Sequence, residues 1–345
     1  MKQLILFSCF TVLLAFGLPL LLYPPGGVPA ASETPVSSPA AAAAPSSAPD
    51  SAAAESTADA EITLVLAAET GLRELTMAEY LPLALAGEMP ASFAPEALKA
   101  QAVALRTYAL HYRAARKDVH PQADVCDDPG CCAALASEDA LRKAWGEDYD
   151  AYAAKLAAAV RETDGQYLVW DDAPALTVFH ASSVGRTEDG AALGVALDYL
   201  RSVDTPETEA RVRNLCSTVE VSAEELAAAV RAVAPAADFS GAPESWLGPV
   251  ALDGAGRVKS MQLGGAALSG LALRQLFSLR STDFTLAWSE GRFLFRVRGY
   301  GHGLGMSQYG ANLLAGDGAD HAAILRHYYP GTTLAAVGDP PRSSQ

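Results

Sequence analysis

The sequence predicts an α+β protein: mixed helices and antiparallel strands forming a cleft, with a smaller inserted lobe, after an N-terminal transmembrane helix and a flexible tether. Three observations carry that expectation. A long helical pattern fills residues 95–114, short alternating strand runs occur near residues 61–68 and 165–178 and return after 248, and an apolar run with an Ala/Ser/Pro tract precedes them all. A chain of 345 residues is long enough for one or two domains with a real core. Its formal net charge of -15 argues against a nucleic-acid surface.

At the N-terminus, Lys2 precedes an apolar run over residues 4–23, long enough at about 1.5 Å per residue to cross a bilayer core of about 30 Å. Pro24, Pro25, Gly26 and Gly27 follow where a cleaved signal would carry small residues. Residues 1–27 are therefore expected to be a cytoplasmic start and an uncleaved anchor, favoured over a cleaved signal, with the body exported either way. Residues 28–60 lack the bulky apolar side chains needed to offset ordering entropy and are expected to form a disordered linker.

The folded part begins near Glu61 with the strand run ITLVLA. Thr76 and Glu79 form a capping box for a helix over about residues 77–86, and Gly87, Pro90, Ala91 and Ser92 break the chain after it. Glu88 thus falls at a helix–turn junction. Pro95 and Glu96 suit the start of the long helix, whose apolar stripe is Leu98, Ala102, Leu105, Ala109 and Tyr112. Lys99, Arg106 and Arg113, seven apart, fall almost in line on its polar face. An acid beside a cationic stripe is a plausible catalytic start, although the local pattern alone is more simply an exposed turn carboxylate.

Of five cysteines, Cys9 lies in the apolar run, and Cys216 stands alone as a small buried hydrophobe by default. His120, Cys126, Cys131 and Cys132 put one imidazole and three thiols within thirteen residues, the ligand types tetrahedral zinc prefers. The adjacent Cys131 and Cys132 could both reach one ion only with a distorted local backbone. A structural zinc is favoured over a Cys126–Cys131 or Cys126–Cys132 disulfide, and so thiolate-rich a set leaves no open position for a catalytic water.

Further on, residues 139–162 read as helix with packing aromatics Trp145, Tyr149 and Tyr152, and residues 165–178 as a hairpin turning at Asp171 and Asp172. Ser183 and Thr187 lie in the loop that follows. Residues 205–247 are expected to form the inserted lobe, with a helix capped by Ser222 and Glu225, before strand runs resume. The last informative segment holds His302, Ser307 and Gln308 among five glycines in twelve residues, where backbone can approach a ligand closely.

Three segments together, EYLPLALAGEMPASFAPEALKAQAVALRTYAL, FHASSVGRTED and GYGHGLGMSQYGANLLA…ILRHYYPGTTL, resemble the stage II sporulation protein D (SpoIID/LytB domain) family, in the same order. The resemblance covers about residues 61–337, leaving 338–345 as a tail. It implies a lytic transglycosylase that cleaves peptide-stripped peptidoglycan glycan strands between N-acetylmuramic acid and N-acetylglucosamine during engulfment, leaving a 1,6-anhydro sugar, with Glu88 as general acid and base. As an expectation beside it, Lys99 and Arg106 bind or orient glycan, and Ser183, Thr187, His302, Ser307 and Gln308 shape the cleft. A structural hydrogen bond holding the glycine-rich loop describes His302 equally well. The segment HPQADVCDDPGCC is similar to a metal-binding loop of clostridial-type members, with Cys131 where those carry histidine, so the implied zinc ligands are His120, Cys126, Cys131 and Cys132.

The resemblance further implies a single-pass membrane location with the catalytic domain outside the cytoplasm, in the septal or intermembrane space. Its implied partners are glycan strands, a stem-peptide-removing amidase or endopeptidase and other membrane engulfment proteins. One departure stands out: Val184 replaces the first of a usual glycine pair, which would be strained if that position needed positive φ. Two other classes stay open, a zinc amidase or peptidase built on His120, His180 and His302, and a non-catalytic glycan-binding protein.

Overall fold

The structure is a computed structural model that describes residues 57–338. The expected anchor, nearly all of the linker and residues 339–345 lie outside the described residues, among which no helix is long and apolar enough to cross a membrane. A short helix α1 (Ala58–Glu61) leads into β1 (Thr63–Ala68), which pairs antiparallel with β2 (Gly71–Thr76). The capping box then starts α2 (Met77–Glu88) as expected: Thr76 Oγ1 accepts from Glu79 N, and Glu79 Oε2 accepts from Thr76 N. The helix runs through Gly87 and ends on Glu88, two residues later than the sequence predicted.

The long helix α3 (Pro95–Ala114) differs from expectation in its surroundings. From Ala97 to Ala109 it is buried nearly all round, and α2, later helices and a strand pack against it. Arg106, predicted to lie on a polar face, is fully buried, with Nε and Nη2 each donating to the Asp59 carboxylate at 2.6 Å and Nη1 donating to Gln166 O at 3.0 Å. A guanidinium survives there because a bidentate carboxylate neutralises it and a carbonyl takes a further N–H. The stripe is therefore broken at its middle, and α3 is a central pillar.

Downstream, β3 (Val125–Cys126) adds parallel to β1, bringing the cysteine segment to the first sheet. Helices α4 (Glu138–Trp145) and α5 (Tyr149–Arg161) follow, joined by Trp145 packing on Tyr149 and Tyr152. The expected hairpin is β4 (Gln166–Trp170) and β5 (Ala173–Pro174), turning at Asp171 and Asp172, whose φ values are 50° and 57°. β6 (Phe179–His180) comes next.

The inserted lobe is larger than predicted. Its separate core draws on residues from Val221 to Val297, well past residue 247. It consists of β7 (Cys216–Val221), α6 (Ala223–Val233), β8 (Leu247–Leu252), β9 (Val258–Leu263), β10 (Ala266–Ser269), α7 (Gly270–Leu276), β11 (Phe284–Ser289) and β12 (Arg292–Arg298). These strands form two antiparallel sheets ordered β10-β9-β8 and β11-β12-β7. Cys216, expected to be buried, is exposed at the start of β7 with its thiol donating to Glu209 Oε1 at 3.2 Å.

The chain then returns to the first core. β13 (Met306–Ser307) pairs parallel with β6, placing Ser307 opposite His180. Helices α8 (Gln308–Gly316) and α9 (His321–Tyr328) pack beside α3, and β14 (Thr333–Ala336) closes on β4. Residues far apart in sequence thus meet at the ends of α2 and β13.

Candidate active site

Glu88 occupies the last position of α2, where Met89 turns the chain into extended backbone. Its side chain is half-buried, and each carboxylate oxygen has a donor: the Ala134 N–H reaches Oε1 at 2.6 Å, and Gln308 Nε2 reaches Oε2 at 3.5 Å. Burial pushes the Glu88 carboxyl up to about 7, against the opposing pull of those two donors. A position at the negative end of the helix dipole disfavours the anion further.

Gly87 makes this arrangement possible. A Cβ there would collide with the carbonyl of Ala134, so the glycine lets the segment after the cysteines lie directly on the end of α2. Ala136 N donates to Leu83 O at 3.1 Å, fixing the same contact one turn back. The sequence treated Gly87 as a chain breaker, but its use here is close approach within a helix. Ala134 was not predicted, because a backbone N–H has no side-chain signature.

Among the predicted glycan-contacting residues, Gln308 is the one that hydrogen-bonds Glu88. Lys99 is held by Glu96 and Glu162, each at 2.7 Å, and Arg106 lies inside the core. Arg106 is corrected from substrate wall to a buried structural ion pair, and Lys99 stands at the partly exposed end of the same helix between two carboxylates. Thr187 is fully buried and accepts from Val203 N at 2.9 Å, bracing its loop.

His302 is buried, with Nε2–H donating to Phe179 O at 2.9 Å while Nδ1 accepts from Leu304 N at 3.1 Å. Both ring nitrogens are used to hold the glycine-rich loop, and burial pushes its pKa down to about 3, so the ring is neutral at physiological pH. Of the two descriptions of His302, the structural hydrogen bond matches this geometry.

Ser183 is also fully buried. Its Oγ lies 2.6 Å from His180 Nε2 and 2.9 Å from Arg257 Nη2, and His180 Nδ1–H donates to Leu304 O at 3.0 Å. Arg257, contributed by the inserted lobe and missed in the sequence, joins that lobe to the loop. Glu207, also missed, accepts from Ser183 N at 3.1 Å and from the hydroxyls of Ser307 and Thr205. Ser307 in turn caps α8 by accepting from Gly310 N at 3.3 Å. Ser183 and Ser307 therefore fix the start of α8, from which Gln308 reaches Glu88. At Val184 the backbone does not take positive φ, whereas Gly185 has φ 76°, so the valine is accommodated without strain.

The cysteine segment converges as a unit. One ligand atom from each of His120, Cys126, Cys131 and Cys132 lies within 4.8 Å of the others. Cys131 Sγ and Cys132 Sγ are 3.9 Å apart, and His120 Nε2 is 3.4 Å from Cys132 Sγ. The amides of Cys131 and Cys132 both donate to Asp128 O at 2.9 Å, a tight turn that aims both thiols the same way. His180 and His302 belong to the glycine-loop network and not to this group, which is the one cluster of metal-ligand type among the described residues.

The α+β domain thus holds the Glu88 carboxyl, raised toward neutrality, at a helix end between two amide donors, an arrangement of the kind that general acid–base chemistry uses. Residues 67–170 match the family described as SpoIID, stage II sporulation protein. Stage II sporulation protein D of Bacillus amyloliquefaciens is 32% identical over 268 residues, covering 76% of this chain and 75% of that protein. The protein of the same name from Bacillus subtilis is 31% identical over 277 residues, covering 79% and 78%. A shorter segment of 57 residues is 46% identical to the amidase enhancer of Bacillus subtilis, covering 16% of this chain and 8% of that protein. The chain belongs to the stage II sporulation protein D family, a family of sporulation proteins.

Proposed function

We propose that this protein is a lytic transglycosylase acting on peptide-stripped peptidoglycan glycan strands during sporulation, with Glu88 as its single acid–base catalyst. The observation that carries the proposal is the Glu88 carboxyl itself, poised near neutral pH by burial and oriented by Ala134 N–H and Gln308 Nε2. A carboxyl with a pKa of about 7 is protonated often enough to donate to the glycosidic oxygen and basic enough to take a proton back. In the first step Glu88–OH protonates the oxygen leaving the muramoyl C1 as that bond breaks. In the second, Glu88 carboxylate takes the proton of the muramoyl C6 hydroxyl, whose oxygen bonds to C1 and closes the 1,6-anhydro ring. No water is activated, so the second carboxylate that ordinary glycosidases place across the bond is not required.

The roles of the other residues follow from their contacts. Gln308 orients the acid, and Ser183, Ser307 and Glu207 hold the helix start that carries Gln308. His120, Cys126, Cys131 and Cys132 are proposed to hold a structural zinc. Tetrahedral zinc with sulfur at about 2.3 Å sets its sulfur ligands about 3.8 Å apart. The 3.9 Å between Cys131 Sγ and Cys132 Sγ fits that spacing. His120 Nδ1–H donates to Ala123 O at 3.0 Å, leaving Nε2 to face the thiols. When bound, the ion would supply a rigid cross-link in the loop that ends at Ala134, with four protein ligands and no open position.

A membrane-anchored protein facing the septal space, working with a stem-peptide-removing enzyme, remains the proposed setting, and the segment similar to an amidase enhancer agrees with a cell-wall partner of that kind. The test is digestion of peptide-stripped glycan strands by wild type and Glu88→Gln, with products separated by mass spectrometry. Release of short strands by the wild type and not by the variant is expected. Release by both would remove Glu88 from the chemistry.

A further inference from the structure

We propose that Lys117 is the charge-balancing residue of the His120, Cys126, Cys131 and Cys132 centre, and that it sets how tightly this three-thiolate site holds zinc. The inference rests on the zinc assignment above and concerns a residue outside the ligand set. A divalent ion with three thiolates and one neutral imidazole carries one net negative charge, whereas a histidine in place of Cys131 would make the centre neutral. An uncompensated charge in a buried site is costly, so a three-thiolate centre needs a cation beside it.

Lys117 is placed for that task. Its Nζ lies 3.5 Å from Cys132 Sγ and 3.8 Å from Cys131 Sγ, and it donates to the backbone carbonyl of Cys131 and, at 2.8 Å, to Tyr108 Oη. The ammonium also sits 4.5 Å from the centre of the Tyr112 ring. Tyr108 and Tyr112 are one helical turn apart near the C-terminal end of α3, and their rings meet edge to face at 4.8 Å. Together they make an aromatic and hydroxyl seat that directs the ammonium toward the two adjacent thiols. Both the extra thiolate at 131 and the cation facing it therefore belong to one local arrangement, built between the end of α3 and the cysteine turn.

The experiment measures zinc affinity of the full-length protein by competition with a chromophoric chelator, for wild type, Lys117→Met, Lys117→Arg and Cys131→His, and for Lys117→Met combined with Cys131→His. Lys117→Met is expected to weaken zinc binding at least tenfold, within the range of about 10–100-fold typical of residues that support metal ligands. Lys117→Arg, which keeps the charge, recovers most of the loss. In the Cys131→His background the centre is already neutral, so adding Lys117→Met should cost less than about twofold.

The same loss in both backgrounds would mean that Lys117 acts through packing and would overturn the proposal, as would an unchanged affinity in Lys117→Met. A wild-type protein that takes up no zinc would instead remove the zinc assignment and the proposal with it. Far-UV circular dichroism of each variant separates a binding defect from misfolding.

Discussion

Replacing Glu88 by Gln should make the protein more stable as it makes it inactive, and the gain should depend on pH with a definite sign. Burial raises the carboxyl from 4.5 to about 7 in the folded state, so between those values the native protein binds a proton that the unfolded chain releases. The stabilising contribution of the protonated acid is complete below about pH 4.5 and is lost as pH rises through 7. At about 1.4 kcal/mol per pKa unit, wild type should lose up to about 3 kcal/mol relative to Glu88→Gln between pH 4.5 and pH 8, with partial exposure of the side chain making this an upper limit. The glutamine keeps an oxygen for the Ala134 N–H, and Gln308 can turn its amide to offer oxygen in place of nitrogen.

Urea unfolding of both proteins at pH 4.5, 6 and 8 measures the difference, and titrations common to the two cancel in the comparison. A stability difference independent of pH, or one that favours wild type increasingly at alkaline pH, would show that Glu88 is not a carboxyl with a raised pKa.

Three further outcomes are expected. In wild type, kcat/KM should fall as pH rises above about 7, where Glu88 loses the proton it donates, and Gln308→Leu should move that limb to higher pH by less than about one unit, because it removes a donor that favours the anion. Gly87→Ala should force Ala134 away from α2, destabilising the fold by about 1–3 kcal/mol and reducing activity, as thermal unfolding and product assays would show. Asp59→Ala leaves the fully buried Arg106 uncompensated and should cost about 3–5 kcal/mol of stability, while KM for glycan stays unchanged; a large KM change would return Arg106 to the substrate wall.

Features governed by neighbours in sequence were legible before the fold was seen. The capping boxes at Thr76 and Ser222 both form, and the Asp171–Asp172 turn takes the left-handed backbone that such a pair tolerates. The ligand group at His120, Cys126, Cys131 and Cys132 converges because its members lie within one thirteen-residue segment that folds back on itself at the turn before Cys131. Periodicity misplaced Arg106 because a helical wheel knows nothing of Asp59 and Gln166, which cover that face in the folded protein. The same blindness hid Arg257 and Glu207, whose partners are supplied by segments far away in the chain. Glu88 could be named from the resemblance of its flanking motif, but the groups that tune it, Ala134 N–H and Gln308, meet it only across the tertiary fold.

Digestion of peptide-stripped glycan strands in water enriched with oxygen-18 tests the single-acid mechanism most directly. Closure by the muramoyl C6 hydroxyl predicts 1,6-anhydro ends that carry no solvent oxygen, formed by wild type and absent with Glu88→Gln. Reducing muramoyl ends bearing one oxygen-18 atom would show that water attacks C1, and would contradict intramolecular closure under the control of Glu88.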